Sequence, residues 1–514
     1  EPLALILEPT QNKLFMYRIK CNFLLLILVL ISTSILSASI KPEIEIFNIK
    51  DFGAKGDGLT IDTKAINAAI EACSKSKNAK VIVPSGQYVS GSIHLKSNIV
   101  IEIQDGAELL GAPTGIQAYD LPEPNQWDMY QDYGHSHYHN SMIWGENLEN
   151  ITITGNGTIN GNNYIVRNNK NGGGDANKMI AMKLCNNITI EGITLKLGGH
   201  FAIILNGCNG VNINNATIHT QHDGIDLMAC SNVTISNCEI ESIRYENGKM
   251  AGGDDAIGIK SDYFLGYALP CENITVTNCF LSSGCNAIQF GSETVGDIKN
   301  VKVTNCVIEH ADKAGLGITC NDGSNIENLV FRNITMTKIA NPFFMLITNR
   351  GRAANNPEVG SIKNVMFENI KCRDVYGYIK DRVFTSMISG LPGHNIENVE
   401  FKNIEMTLKG KVDEYDADRE IPYHIKYSPR SFGIRPSSGF YCRNTKNISF
   451  QNVIIEFEKP DVRPLFFFDQ VSGIDIVNLG SKTCSDENGH IVLKQSDAFQ
   501  LIKSKVNNII KLEK

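Results

Sequence analysis

The chain has 514 residues, 42% hydrophobic and 20% charged, with 44 Gly, 16 Pro and 14 Cys. So large an apolar fraction excludes a disordered chain, and the composition excludes a collagen-like or small disulfide scaffold. A formal net charge of −7 excludes a protein built to coat nucleic acid, although an anionic substrate needs only a local basic patch.

Arg18 and Lys20 precede an apolar run from Phe23 to Ile31, followed by Ser32-Thr33-Ser34 and Ser37-Ala38-Ser39. A basic flank, a short apolar core and small residues predict that residues 1–39 are an upstream extension plus a secretory signal peptide, with Met16 as a candidate start. The run is short for a bilayer, and no later run reaches the roughly 18 apolar residues that spanning needs. The expectation is a secreted protein, extracellular or periplasmic, with no membrane attachment after cleavage. Loss of residues 1–38 removes three basic and two acidic residues and leaves a charge of −8.

Asp62-Thr63, followed by Ala65, Ile66, Ala69, Ile70 and Cys73, predicts an N-capped amphipathic helix that seals the amino-terminal end of the core. Beyond it, His135-Ser136-His137-Tyr138-His139 would set three imidazoles on one strand face, a conceivable metal site. Without a carboxylate at ligand spacing, a polar and aromatic cleft wall with Trp127, Tyr130, Tyr133 and Trp144 is the preferred reading.

From residue 150 one phrase recurs: Asn, apolar, polar, apolar. It reads Asn150-Ile151-Thr152-Ile153, Asn187-Ile188-Thr189-Ile190, Asn232-Val233-Thr234-Ile235 and Asn273-Ile274-Thr275-Val276, with later copies from Asn300, Asn328, Asn364, Asn398 and Asn447. A cousin starts at Gly210, 23 residues after Asn187 and 22 before Asn232. Strict alternation of β-branched residues means half-buried strand. A base period of 22 to 28 residues fits one coil of a parallel β-helix, with longer gaps as insertions. Asn can take the left-handed turn that each coil needs and ladder with its copies. The fold class is therefore an all-β, single-stranded parallel β-helix, one elongated domain from 43 to 514. The stretch 408–440 lacks the phrase and reads as an insertion.

Carboxylates sit at comparable phases of two neighbouring coils. The first segment is Gln221-His222-Asp223-Gly224-Ile225-Asp226, the second Gly253-Asp254-Asp255-Ala256-Ile257-Gly258-Ile259-Lys260. Stacking predicts that Asp223 meets Asp254 and Asp255. Crowded like charges raise at least one pKa, which suits glycosidic hydrolysis, where one carboxyl is protonated and another ionised. Calcium binding or turn capping are the bland uses of such a cluster. The cysteines of Asn237-Cys238, Asn278-Cys279 and Asn305-Cys306 close near-identical strands. Their recurrence favours an interior stack of free thiols, with disulfides and metal binding as alternatives.

These two Asp motifs resemble glycoside hydrolase family 28, the polygalacturonases and their relatives. Asp51-Phe52-Gly53-Ala54-Lys55-Gly56-Asp57-Gly58 and Val83-Pro84-Ser85-Gly86-Gln87-Tyr88 are similar to the opening of pectin-degrading β-helix proteins. The resemblance implies a right-handed, pectin-lyase-like solenoid and an inverting hydrolase that needs no cofactor or metal. It implies Asp254 as the general acid, with Asp223 and Asp255 activating water. The match then departs. The family Gly-His-Gly falls on Cys285-Asn286-Ala287, and Arg-Ile-Lys falls on Gly317-Ile318-Thr319. His222, Lys260, Asn286, Lys313, Arg350 and Arg352 are the candidates to bind substrate instead. The expected partner is a pectin-like polysaccharide, modified or of rhamnogalacturonan type, acted on by a monomer. The competing readings are a β-helix lyase or epimerase, and an inactive carbohydrate-binding protein.

Overall fold

The computed structural model describes Met16 and residues 44–167, 175–354, 356–375, 385–414, 416, 418–484, 490–506 and 508–512. The chain divides into two units, 1–45 and 46–514. Apart from Met16, the predicted extension and signal lie outside the described residues. Among the described residues, no helix is long and apolar enough to cross a membrane.

The described strands, 37 in number, join into one continuous, coiled sheet, a right-handed parallel β-helix. Five strands position the site: β1 (Phe201–Asn206), β2 (Asp223–Met228), β3 (Ile257–Ser261), β4 (Asn286–Thr294) and β5 (Ala314–Cys320). Each lies parallel on the next, one coil further on. A rare antiparallel element is the hairpin of Glu239–Glu246 with Lys249–Gly253, which ends at Asp254.

The alternating phrase explains the sheet. Ile151, Ile188, Val211, Val233, Ile274, Val301, Leu329, Val365, Val399 and Ile448 pair coil by coil in one register. All ten are buried, and each such side chain contributes roughly 1.5–3 kcal/mol relative to exposure. The intervening polar residues face outward.

The phrase-opening Asn residues sit at left-handed φ of 55° to 61°. Their amides chain together, with Asn187 Nδ2 donating to Asn150 Oδ1 at 2.7 Å and Asn398 Nδ2 to Asn364 Oδ1 at 2.9 Å. Gly210 takes the same turn at φ 70° without a side chain, so Asn209 carries the ladder there, accepting from Asn232 at 2.7 Å. A second ladder, absent from the sequence reading, runs through Asn305, Asn333, Asn369, Asn403, Asn452 and Asn478 at spacings of 2.8 to 3.0 Å.

Among the described residues, twelve cysteines are buried thiols outside any disulfide. Cys238, Cys279 and Cys306 lie at one position of successive coils, each donating its S–H to the carbonyl two residues back. Cys208 and Cys230 make the same contact. A small apolar side chain with a weak donor therefore satisfies a turn carbonyl inside the core.

Helix α1 (Thr63–Cys73) buries the five predicted residues, Ala65, Ile66, Ala69, Ile70 and Cys73. Its cap is a correction. Asp62 makes no side-chain bond to the helix and instead accepts the N–H groups of Lys55 (2.7 Å) and Gly56 (3.0 Å), fastening the preceding turn. The insertion after Leu408 is exposed over most of its described residues from 411 to 426 but is docked on the coils by a few apolar side chains. Its Ile421 and Phe432 are buried against Phe344, Tyr441 and Phe467 on the outside of the late coils.

Asn364→Ala removes two ladder bonds and, at φ 57°, replaces Asn, which tolerates the left-handed region, by a residue that does not; the expected destabilisation is about 1–3 kcal/mol. Asn364→Gly keeps the backbone preference and costs less. Equal shifts of the denaturation midpoint for the two variants would refute the left-handed contribution.

Candidate active site

The carboxylates meet because register places them in one column. Ile225 pairs with Ile257 and Ile257 with Ile288, so Asp223, Asp255 and Asn286 stack at the starts of β2, β3 and β4. Their outward turn has a local cause. Ala256 and Ile257 both enter the core, as do Ala287 and Ile288. Two successive inward residues break the alternation, and the residue before each pair is left on the other side. Gly224 holds the corresponding place in β2, where a Cβ would lie 2.5 Å from the Ala256 carbonyl oxygen.

Asp254 arrives from the hairpin rather than from the stack. Ser242 and Ser283 donate their hydroxyls to its carbonyl at 2.5 and 2.7 Å, which fixes the turn. Its side chain is 23% exposed and lies 3.5 Å from Arg167 Nη1. One oxygen each of Asp254 and Asp255 and the Cys285 sulfur fall within 4.8 Å of one another. Asn286, at the position of the family His, donates to Asp255 Oδ1 from its amide (2.8 Å) and its backbone (3.1 Å).

These residues line a cavity of about 340 Å³ together with Asp132, His135, Arg167, His200, Lys260, Glu293, Lys313 and Tyr427. Its electrostatics divide the acids into two groups. Burial, then the charges of Asp254 and Asp226, push Asp223 well above the usual carboxylate range, with Lys260 opposing. Burial and Asp254 likewise raise Asp255, against Lys260 and Lys313. Asp226 goes the other way: burial would raise it, but Lys260 and His135 hold it ionised. Lys260 pairs directly with Asp226 and lies 3.8 Å from Asp223, and these anions overcome burial to keep it charged. His135 is an imidazolium sandwiched between Asp226 (3.6 Å) and Glu293 (3.5 Å). Burial disfavours its charge, yet Glu293 and Asp226 raise it to about 10. Glu293 is held well below its usual range: burial opposes, but His135 dominates.

The structure distributes the expected substrate ligands unevenly. Lys260 lines the cavity but is committed to Asp226. Arg350 is turned into an ion pair with buried Asp322 (2.5 and 2.9 Å) and donates to the Ser292 carbonyl (2.8 Å). Arg352 donates to the Tyr130 carbonyl at 2.8 Å and reaches Glu293 and Asp132 at 3.4 Å, pinning the early loop to β4. His222 lies in an adjoining cavity with Arg167 and Arg244. Lys313 faces the acids with no ion pair within 4 Å among the described residues: burial disfavours its charge, but Cys285, Asp255 and Asp254 keep it protonated.

At Gly317 a Cβ would lie 2.3 Å from Gln289 Oε1, and Gln289 Nε2 donates to the Thr319 hydroxyl at 3.1 Å. The place of the family's basic pair is thus filled by an uncharged Gln–Thr contact. The His-rich stretch diverges. His135 enters the cavity, His137 meets the Glu123 carbonyl (2.6 Å), and His139 stacks on Trp144 and meets Glu146 (3.1 Å). Trp127 and Tyr130 pack on Tyr263 and do not line the cavity, and the Tyr133 side chain lies outside those described. Sequence reasoning missed Asp132, Arg167, His200, Glu293 and Tyr427. Only Glu293 had a local signal, following the Gly291-Ser292 that aligned the motif.

The family model for glycosyl hydrolases family 28 matches residues 73–421. Among curated relatives, a probable polygalacturonase of Vitis vinifera is 25% identical over 387 residues, covering 71% of this chain and 75% of that protein. An exo-poly-alpha-D-galacturonosidase of Dickeya chrysanthemi is 24% identical, covering 58% of this chain and 56% of that protein. Of solved structures, a family 28 exopolygalacturonase from Yersinia enterocolitica superposes with a TM-score of 0.62 at 19% identity, over 84% of this chain and 78% of that one. A hyperthermoactive exopolygalacturonase from Thermotoga maritima gives 0.59 at 20%, over 82% and 95%. At these identities the structural likeness shows the shared β-helix fold. With the family match spanning most of the β-helix and its carboxylate-lined cavity, the chain belongs to glycosyl hydrolases family 28, enzymes that hydrolyse O-glycosyl bonds.

Proposed function

We propose that this protein is a secreted hydrolase of α-linked, galacturonic-acid-containing pectic polysaccharide that acts with inversion. The observation that carries this reading is the column of Asp223 and Asp255, buried and both raised, with the more exposed Asp254 beside it. Three carboxylates in one low-dielectric cavity cannot all ionise cheaply, so the cluster retains a proton. Asp254 gives its proton to the leaving oxygen as the glycosidic C–O bond breaks. Asp223 and Asp255 take a proton from the water whose oxygen bonds to the anomeric carbon on the opposite face. Asn286 cannot titrate, and it orients Asp255 through two hydrogen bonds. The uncharged Gln289–Thr319 contact supports a neutral or decorated sugar on that side, hence a rhamnogalacturonan-type or modified backbone rather than bare polygalacturonan.

Reducing-end release from polygalacturonan, rhamnogalacturonan and xylogalacturonan tests both halves. Asp254→Asn is expected to lose 10²–10⁴-fold in rate, and proton NMR of the first product should show the inverted anomer. A retained anomer, or an unsaturated product absorbing in the ultraviolet, would overturn the mechanism. Preference for bare polygalacturonan would overturn the substrate assignment alone.

The pH profile follows from the raised acids. Water activation needs Asp223 and Asp255 ionised, so the acid limb of kcat/KM should lie above the ordinary carboxylate range near 4. Lys313 lowers Asp255. Removing that cation in Lys313→Met raises the carboxyl pKa further and moves the acid limb to higher pH. An unmoved limb would show that Lys313 does not act on the base.

A further inference from the structure

Beside the catalytic cavity lies a second one of about 190 Å³, on the side of the preceding coil. Its charged lining is Arg167 and Arg244, with His222 and Gln221 between them and Ile165 and Leu197 as apolar wall. Each guanidinium keeps a donor uncommitted among the described residues. Arg167 meets Asp254 at 3.5 Å, and Arg244 Nη1 meets the exposed Glu246 at 3.1 Å, while its Nη2 donates to the Ala251 carbonyl at 2.7 Å. Among the described residues, His222 Nδ1 and Arg244 Nε are buried there without a hydrogen-bond partner. An unsatisfied buried donor in a concave, cationic pocket marks a missing acceptor. The His222 ring reports the same field: burial, then Arg167 and Arg244, hold it down to about 4, so it is neutral at pH 7.

We infer that this cavity is a uronate subsite, in which the carboxylate of one galacturonate unit is bound by Arg167 and Arg244, with His222 contacting the same sugar. It rests on the hydrolase reading above and names the residues that would hold an acid sugar beside the catalytic carboxylates. Guanidinium and carboxylate make the charge-assisted, two-pronged contact that neither hydroxyl nor amide provides. The cavity has room for a single sugar ring against apolar Ile165 and Leu197. Because Arg167 also meets Asp254 at 3.5 Å, a uronate carboxylate bound there lies beside the catalytic acids.

The test uses whichever polymer the wild type cleaves best and its carboxyl-reduced counterpart, in which galacturonate has become galactose. Arg244→Gln should raise KM about tenfold or more on the acidic polymer with kcat changed less than twofold. On the reduced polymer the wild type should already show the high KM, and the substitution should add nothing. Arg244 also ties the hairpin that carries Asp254, so a fall in kcat on both polymers with KM unchanged would overturn the subsite in favour of a structural role. Arg167→Gln, which also touches Asp254, should lower kcat on both polymers but raise KM on the acidic polymer alone. Titration of Asp254→Asn protein with trigalacturonate by calorimetry reads the subsite without cleavage. At least a tenfold loss of affinity on adding Arg244→Gln supports it, and equal affinities overturn it. If the wild type cleaves no polymer yet this binding difference is found, the hydrolase reading has failed and the subsite stands.

Discussion

In-register stacking of parallel coils is the constraint from which the rest of the structure follows. Each coil pairs its backbone with the next about 4.8 Å away, so whatever occupies one phase is repeated beside itself. Aliphatic residues repeated this way become a continuous core, and Asn residues become ladders. Carboxylates repeated this way become a problem. Asp223 on Asp255 is the same geometry as Val211 on Val233, with charge in place of a methyl group.

The protein meets that problem by separating the acids rather than neutralising them all. Lys260 and the His135 imidazolium hold Asp226 and Glu293 ionised in a buried alternating chain of charge. Asp223 and Asp255 are left with the raised pKa values. A carboxyl raised above its unfolded value binds its proton more tightly in the native state. Its contribution to stability is therefore greatest at low pH and is lost as pH rises through the folded value. At neutral pH the reactive pair costs stability, and the surrounding β-helix offsets that cost with repeated apolar burial.

The loops act on the stack from outside it. The segment before residue 140 brings Asp132 and His135 to the cavity, and the 408–440 insertion brings Tyr427. Arg350 stacks over Tyr427 at 5.5 Å while paired with Asp322, and Arg352 fastens the early loop to Glu293. Both guanidiniums thus hold the rim of the cavity in place. The scaffold sets the acids, and the insertions set the shape around them.

By itself the sequence determined the coils and the acid column. A period of two within each phrase, an Asn able to turn left-handed, and carboxylates at matching phases all reduce to local spacing, which register converts directly into position. The recurring Asn-Cys pairs were legible for the same reason. Tertiary structure alone decided which cations serve the acids. His135 and Tyr427 come from aperiodic loops with no phase to read, and Arg167 lies outside every copy of the repeated phrase. Arg350 and Arg352 looked available in sequence, yet Asp322 and Glu293 claim them, because a buried guanidinium goes to the nearest buried carboxylate. The outward turn of Asp223, Asp255 and Asn286 also needed three dimensions, since it depends on two successive residues entering the core where alternation allows only one.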